Sequence, residues 1–197
     1  MQEIKNTIGI IAVILTFVGY IPYIVDTVKG KTEPHVYSWF LWGFITLIAF
    51  FLQVSGNAGA GSLVTLAAGL ICFIIFGFGM RRGKKNITKS DTIFFALSII
   101  AITLWLFAKQ PVLSIILLAA IDILGFIPTI RKSWHKPYTE TLFTYLLNTF
   151  RFALAIFALQ KYTIVTSLYP ITWILANGLF SILLLTRRKY TTNIKSI

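Results

Sequence analysis

Seven apolar runs, at about residues 8–28, 36–54, 61–80, 92–109, 111–130, 141–160 and 165–186, take up most of this 197-residue chain. Each has about 18–22 residues, the length a helix needs to cross a hydrocarbon core of roughly 30 Å. A chain that is 57% hydrophobic and 12% charged cannot hide its apolar surface in one soluble core. With a mean hydropathy of +0.82 it reads as a membrane protein, with the lipid bilayer as its first partner. The first run ends in Asp26 and Lys29 with no small-residue cleavage site, so it is expected to be retained as a helix.

Charge sets the expected topology. A net charge of +12 in a soluble protein would point to nucleic acid, but here the basic residues form short clusters between apolar runs, and no nucleic-acid partner is expected. With seven spans, one side receives only Lys5, Lys109 and Lys161. The other receives fourteen: Lys29, Lys31, Arg81, Arg82, Lys84, Lys85, Lys89, Arg131, Lys132, Lys136, Arg187, Arg188, Lys189 and Lys195. That bias places the N-terminus outside and the C-terminus in the cytoplasm of a cell (inner) membrane. Two divisions between spans are narrow: Lys109-Gln110-Pro111, and the glycine-rich turn Gly56-Asn57-Ala58-Gly59-Ala60-Gly61. Merging spans four and five would mix the basic clusters, so the bias also supports seven.

An internal repeat divides the runs. Gly19-Tyr20-Ile21-Pro22-Tyr23-Ile24 returns 106 positions later as Gly125-Phe126-Ile127-Pro128-Thr129-Ile130. At the same offset Thr16 falls opposite Asp122, and Tyr37-Ser38-Trp39-Phe40-Leu41 opposite Phe143-Thr144-Tyr145-Leu146-Leu147. Third runs match at a slightly shifted offset, Ala68-Gly69-Leu70 against Asn177-Gly178-Leu179, each followed by a basic exit. The expected fold is an all-α membrane protein of seven transmembrane helices, two parallel triple-helix bundles joined by a linker helix (3+1+3). Residues 1–90 form the first bundle, 91–110 the linker and 111–197 the second bundle. Each doubled proline faces the carbonyl four residues back, at Val18 and Leu124, and is expected to kink its helix as a hinge. The alternative is that Pro22 and Pro128 mark helix ends.

These residues resemble the PQ-loop and SWEET transporter superfamily, whose members include sugar transporters, the lysosomal cystine transporter and the 3+1+3 nicotinamide riboside transporters. The resemblance rests on Pro22 and Pro128, on Trp39-Phe40-Leu41-Trp42-Gly43, similar to the SWEET W-x-x-Y-G, and on Asn177-Gly178-Leu179 in the last run. Tyr23 and Thr129 stand where the family has its glutamine, and Ala68 stands in the place of the first-half asparagine. The resemblance implies a transporter architecture and leaves the solute open.

Intramembrane charge is costly, about 2.5–3.5 kcal/mol on insertion scales, and two such residues stand in the spans: Asp122 and Arg151. By helical rise both lie near the midplane, roughly 15–17 Å along their spans. Two readings are open: a site where Arg151 binds an anionic group and Asp122 carries a coupling proton, or a structural ion pair locking span five to span six. Asn177 is level with both. Asn148, one turn before Arg151, occupies the repeat position of Trp42, so one half offers an indole where the other offers an amide. Asparagine also serves as glue between membrane helices. The candidate solute-binding residues are Asn177, Arg151, Asn148, Trp42 and Asp122, with Asp122 the proton-coupling candidate. Trp39 and Tyr37 are read as an interfacial aromatic belt, His35 and His135 as solvated loop residues, and Asp91 as a helix N-terminal residue favoured by the dipole.

No cofactor and no metal are expected. Cys72 stands alone, and neither histidine has a second ligand at metal spacing. The spans hold no paired carboxylates, H-E-x-x-H or serine–histidine arrangement, so an enzyme is not expected. Run seven has no lysine for a retinal Schiff base. The reading is a transporter of a small polar solute by alternating access, passive or proton-coupled. Its rival is a non-transporting ligand receptor or sorting protein on the same fold.

Overall fold

The computed structural model describes residues 2–82, 87–108 and 110–195; Lys84, Lys85 and Lys109 of the charge count lie outside them. Among the described residues seven α-helices follow one another: α1 (Gln2–Val28), α2 (Val36–Ser55), α3 (Gly61–Arg82), α4 (Lys89–Ala108), α5 (Pro111–His135), α6 (Leu142–Phe157) and α7 (Ile164–Lys195). A 3-10 turn, Pro137–Thr139, sits between α5 and α6. Among the described residues five helices are long and apolar enough to cross a membrane: α1, α2, α3, α5 and α7. The outer faces of the bundle carry large apolar side chains such as Ile10, Phe51, Ile74, Phe150, Leu179 and Ile182. Inside, Thr16, Thr46, Asp122, Asn148, Arg151 and Asn177 are buried. A polar interior under an apolar exterior is what lipid as the surrounding solvent demands.

The helix boundaries have local causes. Pro111 opens α5 at its first turn, where a missing N–H costs nothing, so α4 and α5 are separate helices packed on each other. Between α2 and α3, Asn57 and Gly59 turn through positive φ, 61° and 65°. Glycine takes that conformation at position 59 without the strain another residue would meet. The sixth apolar run extends to 160, but α6 ends at Phe157. The chain leaves the helix so that the Gln160 N–H can donate to the Ala58 carbonyl at 3.1 Å, and Leu159 is buried in the process. At about 24 Å, α6 is shorter than a hydrocarbon core. In contrast α5 and α7 run past the ends of their apolar runs.

Pro22 and Pro128 lie inside helices, since α1 continues to Val28 and α5 to His135. Both helices run on unbroken past them, so the prolines do not mark helix ends. The helices pack in matched pairs: α1 on α3, α3 on α2 and α1 on α6, beside α5 on α7, α7 on α6 and α5 on α2. Glycine lets the two crossing pairs close up. A Cβ added at Gly19 would meet Leu147 at 3.2 Å, and one at Gly125 would meet Leu41 at 3.3 Å. The two glycines, and the two leucines they meet, are each 106 residues apart in sequence.

Candidate functional site

At the centre lies a cavity bounded by α1, α2, α3, α6 and α7. One wall is polar and belongs to α1, α6 and α7. Arg151, fully buried, donates from Nε to Asn148 Oδ1 at 2.8 Å, and from its two terminal nitrogens to Thr16 Oγ1 and the Tyr20 hydroxyl, each at 3.2 Å. Asn148 Nδ2 donates to the Tyr20 hydroxyl and to Asn177 Oδ1, both at 3.3 Å, and Asn177 Nδ2 is spent on the Trp173 carbonyl at 2.7 Å. Each of these three acceptors of the guanidinium is neutral. The rings of Phe152 and Tyr20 lie 4.2 and 5.2 Å from Cζ, within reach of a cation–π contact.

The opposite wall is aromatic. Trp42 makes edge contacts with Trp39 at 5.1 Å, Phe126 at 5.1 Å and Trp173 at 5.4 Å. Phe126 and Trp42 hold the repeat positions of Tyr20 and Asn148, so a ring contact on one side stands where a hydrogen bond stands on the other. The free space within, about 10 Å³ for the centre of a water molecule, has room for about one water. Rings close both approaches. On one side Trp39 Nε1 donates to the Tyr23 hydroxyl at 3.1 Å, beside Tyr145. On the other, Trp173 lies parallel to Phe152 within 13°, and the Tyr169 hydroxyl and Thr46 Oγ1 share a hydrogen bond at 2.7 Å.

Of the expected solute-binding residues, Asn177, Arg151, Asn148 and Trp42 line this cavity together. Asp122 does not. It borders a separate, smaller space with Phe126, Thr172 and Ala176, behind Trp173, whose indole belongs to the walls of both. The Asp122–Arg151 ion pair is therefore not formed: α5 packs on α2, α4 and α7, and Arg151 takes its partners from α1 and its own helix. Both carboxylate oxygens of Asp122 are buried without a hydrogen bond, as is Trp173 Nε1. The Tyr169 hydroxyl and that indole N–H face the carboxylate, neither at bonding geometry. Trp39, read from sequence as part of an interfacial belt, is buried and lines the cavity, because Tyr23 and Trp42 hold it inward. The structure adds Tyr20, Phe152 and Trp173 to the site. Of these Tyr20 carries a signal in the sequence, since it flanks the doubled proline and lies one turn from Thr16.

The end where the α1–α2 and α5–α6 loops meet is closed by a polar cap. Lys132 and Glu140, both buried, form an ion pair; Lys132 also donates to the Glu33 carbonyl, and Glu140 accepts from the Tyr145 hydroxyl at 2.7 Å. Arg131 grips Asp91 with two nitrogens, at 3.0 and 2.7 Å, tying α5 to α4. Asp91 also accepts the Thr88 N–H at 2.8 Å, as a helix start should.

His35 is not solvated as expected but fully buried, because Asp91 on α4 reaches it at 3.3 Å. Burial, against the pull of Asp91 and with a push from Lys132 and Arg131, holds its pKa down to about 4. The neutral ring donates from Nε2 to Asp91 and accepts at Nδ1 from Ser38, which accepts from Thr129 at 3.0 Å. A base whose pKa is lowered on folding gives stability that is full above its unfolded value of 6.5 and is lost as pH falls toward 4. Between pH 7 and pH 5 the loss is expected to be about 2 kcal/mol. Equilibrium unfolding of the detergent-purified protein at the two pH values measures it, and His35→Gln should flatten the dependence; an equal slope in that variant refutes it.

Searches against protein-family models, curated proteins and solved structures give no match to this chain.

Proposed function

We propose that this chain is a membrane transporter that carries a small polar solute by alternating access. The observation that carries the reading is the central cavity: buried, polar on one wall and aromatic on the other, walled from both halves of the chain and closed toward both ends. The resemblance to the PQ-loop and SWEET superfamily points the same way, and we read the helices as two parallel triple-helix bundles with α4 as linker. The matched packing pairs and the twin glycine approaches support that arrangement. So does the Glu33 N–H bond to the Thr139 carbonyl at 3.0 Å, which joins two positions 106 apart, as residues on a two-fold axis are joined. Pro22 and Pro128 are the hinges about which the bundles rock, and Asp122 carries the coupling proton.

Flux into proteoliposomes tests the reading, with a panel of sugars, amino acids, nucleosides and vitamin precursors. At least one solute should move saturably. Pro22→Ala and Pro128→Ala should fold and carry it more slowly, because a restored backbone donor straightens the helix. A solute that stabilises the protein thermally but never crosses would make the chain a receptor.

The lysine and arginine bias orients the protein with its N-terminus outside and its C-terminus in the cytoplasm. In a Cys72→Ser background, Asn57→Cys and Lys161→Cys should react with an impermeant maleimide on intact cells, and Lys136→Cys should not. The opposite pattern inverts the topology.

A further inference from the structure

We infer that the solute of the central cavity is a small organic monoanion with a flat, unsaturated body, its carboxylate on Arg151 and its ring among Trp42, Phe152 and Trp173; this rests on reading that cavity as the solute site. A guanidinium has five N–H donors in a fixed fork and stays charged at any physiological pH. Three of those donors are engaged, by Asn148, Thr16 and Tyr20, and every acceptor is neutral. Two remain. No Asp or Glu lines the cavity, and Asp122 lies beyond the Trp173 ring, so the charge has no counterion there. A buried charge without a partner is costly, and neutral oxygens offset only part of that. An anion completes it.

The number of charges narrows the class. With one cation and two free N–H groups, the site matches the two oxygens of a planar carboxylate. A phosphate dianion would bring a second charge with no cation to meet it, an ammonium would be repelled, and a neutral sugar would leave Arg151 uncompensated. Its three hydrogen bonds and the Phe152 ring 4.2 Å from Cζ hold the guanidinium, so its orientation is set before a ligand arrives. The rest of the solute meets ring faces and edges. Phe152 and Trp173 lie parallel with centroids 6.1 Å apart, and Trp42 stands edge-on to Trp173 at 5.4 Å. With the rings moved apart, such a box meets a flat unsaturated body with ring faces and edges, and the amides and hydroxyls of the polar wall are already engaged with one another. Free space for about one water means that the rings part to admit it, which keeps the body small.

Isothermal titration calorimetry on the detergent-purified full chain tests the class, with benzoate and cinnamate set against their uncharged amides, benzamide and cinnamamide. The acids are expected to bind at least about ten-fold tighter than the amides, about 1.4 kcal/mol. Arg151→Lys, which keeps a charge and loses the fork, should weaken the acids about five-fold or more and weaken the amides less, so that the preference for acid over amide narrows. Amides binding as well as acids to the unaltered protein, or no binding of either acid, overturns the inference whether or not the variant folds. Acids that bind but do not cross a proteoliposome support the ligand class and sink the transport reading. Flux of a neutral solute with no acid binding does the reverse.

Discussion

Glu140→Gln is expected to remove about 3–5 kcal/mol of stability, the range for stranding one charge of a buried pair. A surface pair would cost about 0–1 kcal/mol, and burial decides between the two: Lys132 and Glu140 are 3% and 1% exposed. The variant leaves the Lys132 ammonium with a neutral amide and the Glu33 carbonyl as its company, in the loops that close one end of the bundle. The Tyr145 hydroxyl loses its charged acceptor at the same time. Replacing both ends, Lys132→Met with Glu140→Gln, should recover most of the loss, because no uncompensated charge remains. Denaturant unfolding of the two variants in the same detergent measures this. A loss below about 1 kcal/mol in the single variant would mean that water reaches the pair and that the cap is open in solution.

Arg151→Gln is expected to abolish solute binding and flux, while Asp122→Asn should leave binding in place and remove any dependence of flux on a pH gradient. Their stability effects should differ as well. Arg151 surrenders three hydrogen bonds and leaves acceptors on Thr16, Tyr20 and Asn148 to find other partners, a loss of about 1–3 kcal/mol. Asp122 surrenders none, since neither of its oxygens is bonded, and the Asp122→Asn variant should fold with a change under about 1 kcal/mol. Because the two do not touch, the double variant should show the sum, with a coupling energy under about 0.5 kcal/mol. A coupling energy of about 1 kcal/mol or more would restore the ion pair, formed in another state of the protein.

That missing pair marks where the sequence stops being legible. Depth along a helix can be counted from about 1.5 Å per residue, and depth alone suggests that Asp122 and Arg151 should meet. Direction around the helix is the missing coordinate. The repeat carries it: at the 106-residue offset Asp122 answers to Thr16 and Arg151 to Ile45, and Thr16 is what Arg151 bonds. The neighbour this assigns to Asp122 is therefore on α2, not α6. Trp42 and Asn148 are readable for the same reason, as unlike residues at like positions. His35 is not, because its partner Asp91 lies 56 residues away on α4, and no repeat or period relates that helix to the loop it packs against. Trp39 looks like a belt residue because an indole near a helix end suits an interface equally well; only the facing rings of Tyr23 and Trp42 turn it inward.

Trp173 borders both the central cavity, with its unneutralised guanidinium, and the narrow gap beside the Asp122 carboxyl, with its own N–H unbonded as well. A movable ring shared in this way makes the two places thermodynamic neighbours. Whatever factor a solute at Arg151 applies to proton affinity at Asp122 by moving that ring, a proton at Asp122 must apply to solute affinity in return. In the mechanism proposed above, one indole would thus set the exchange rate between two ligands that never meet, and trimming it, as in Trp173→Leu, would leave each bound on its own terms.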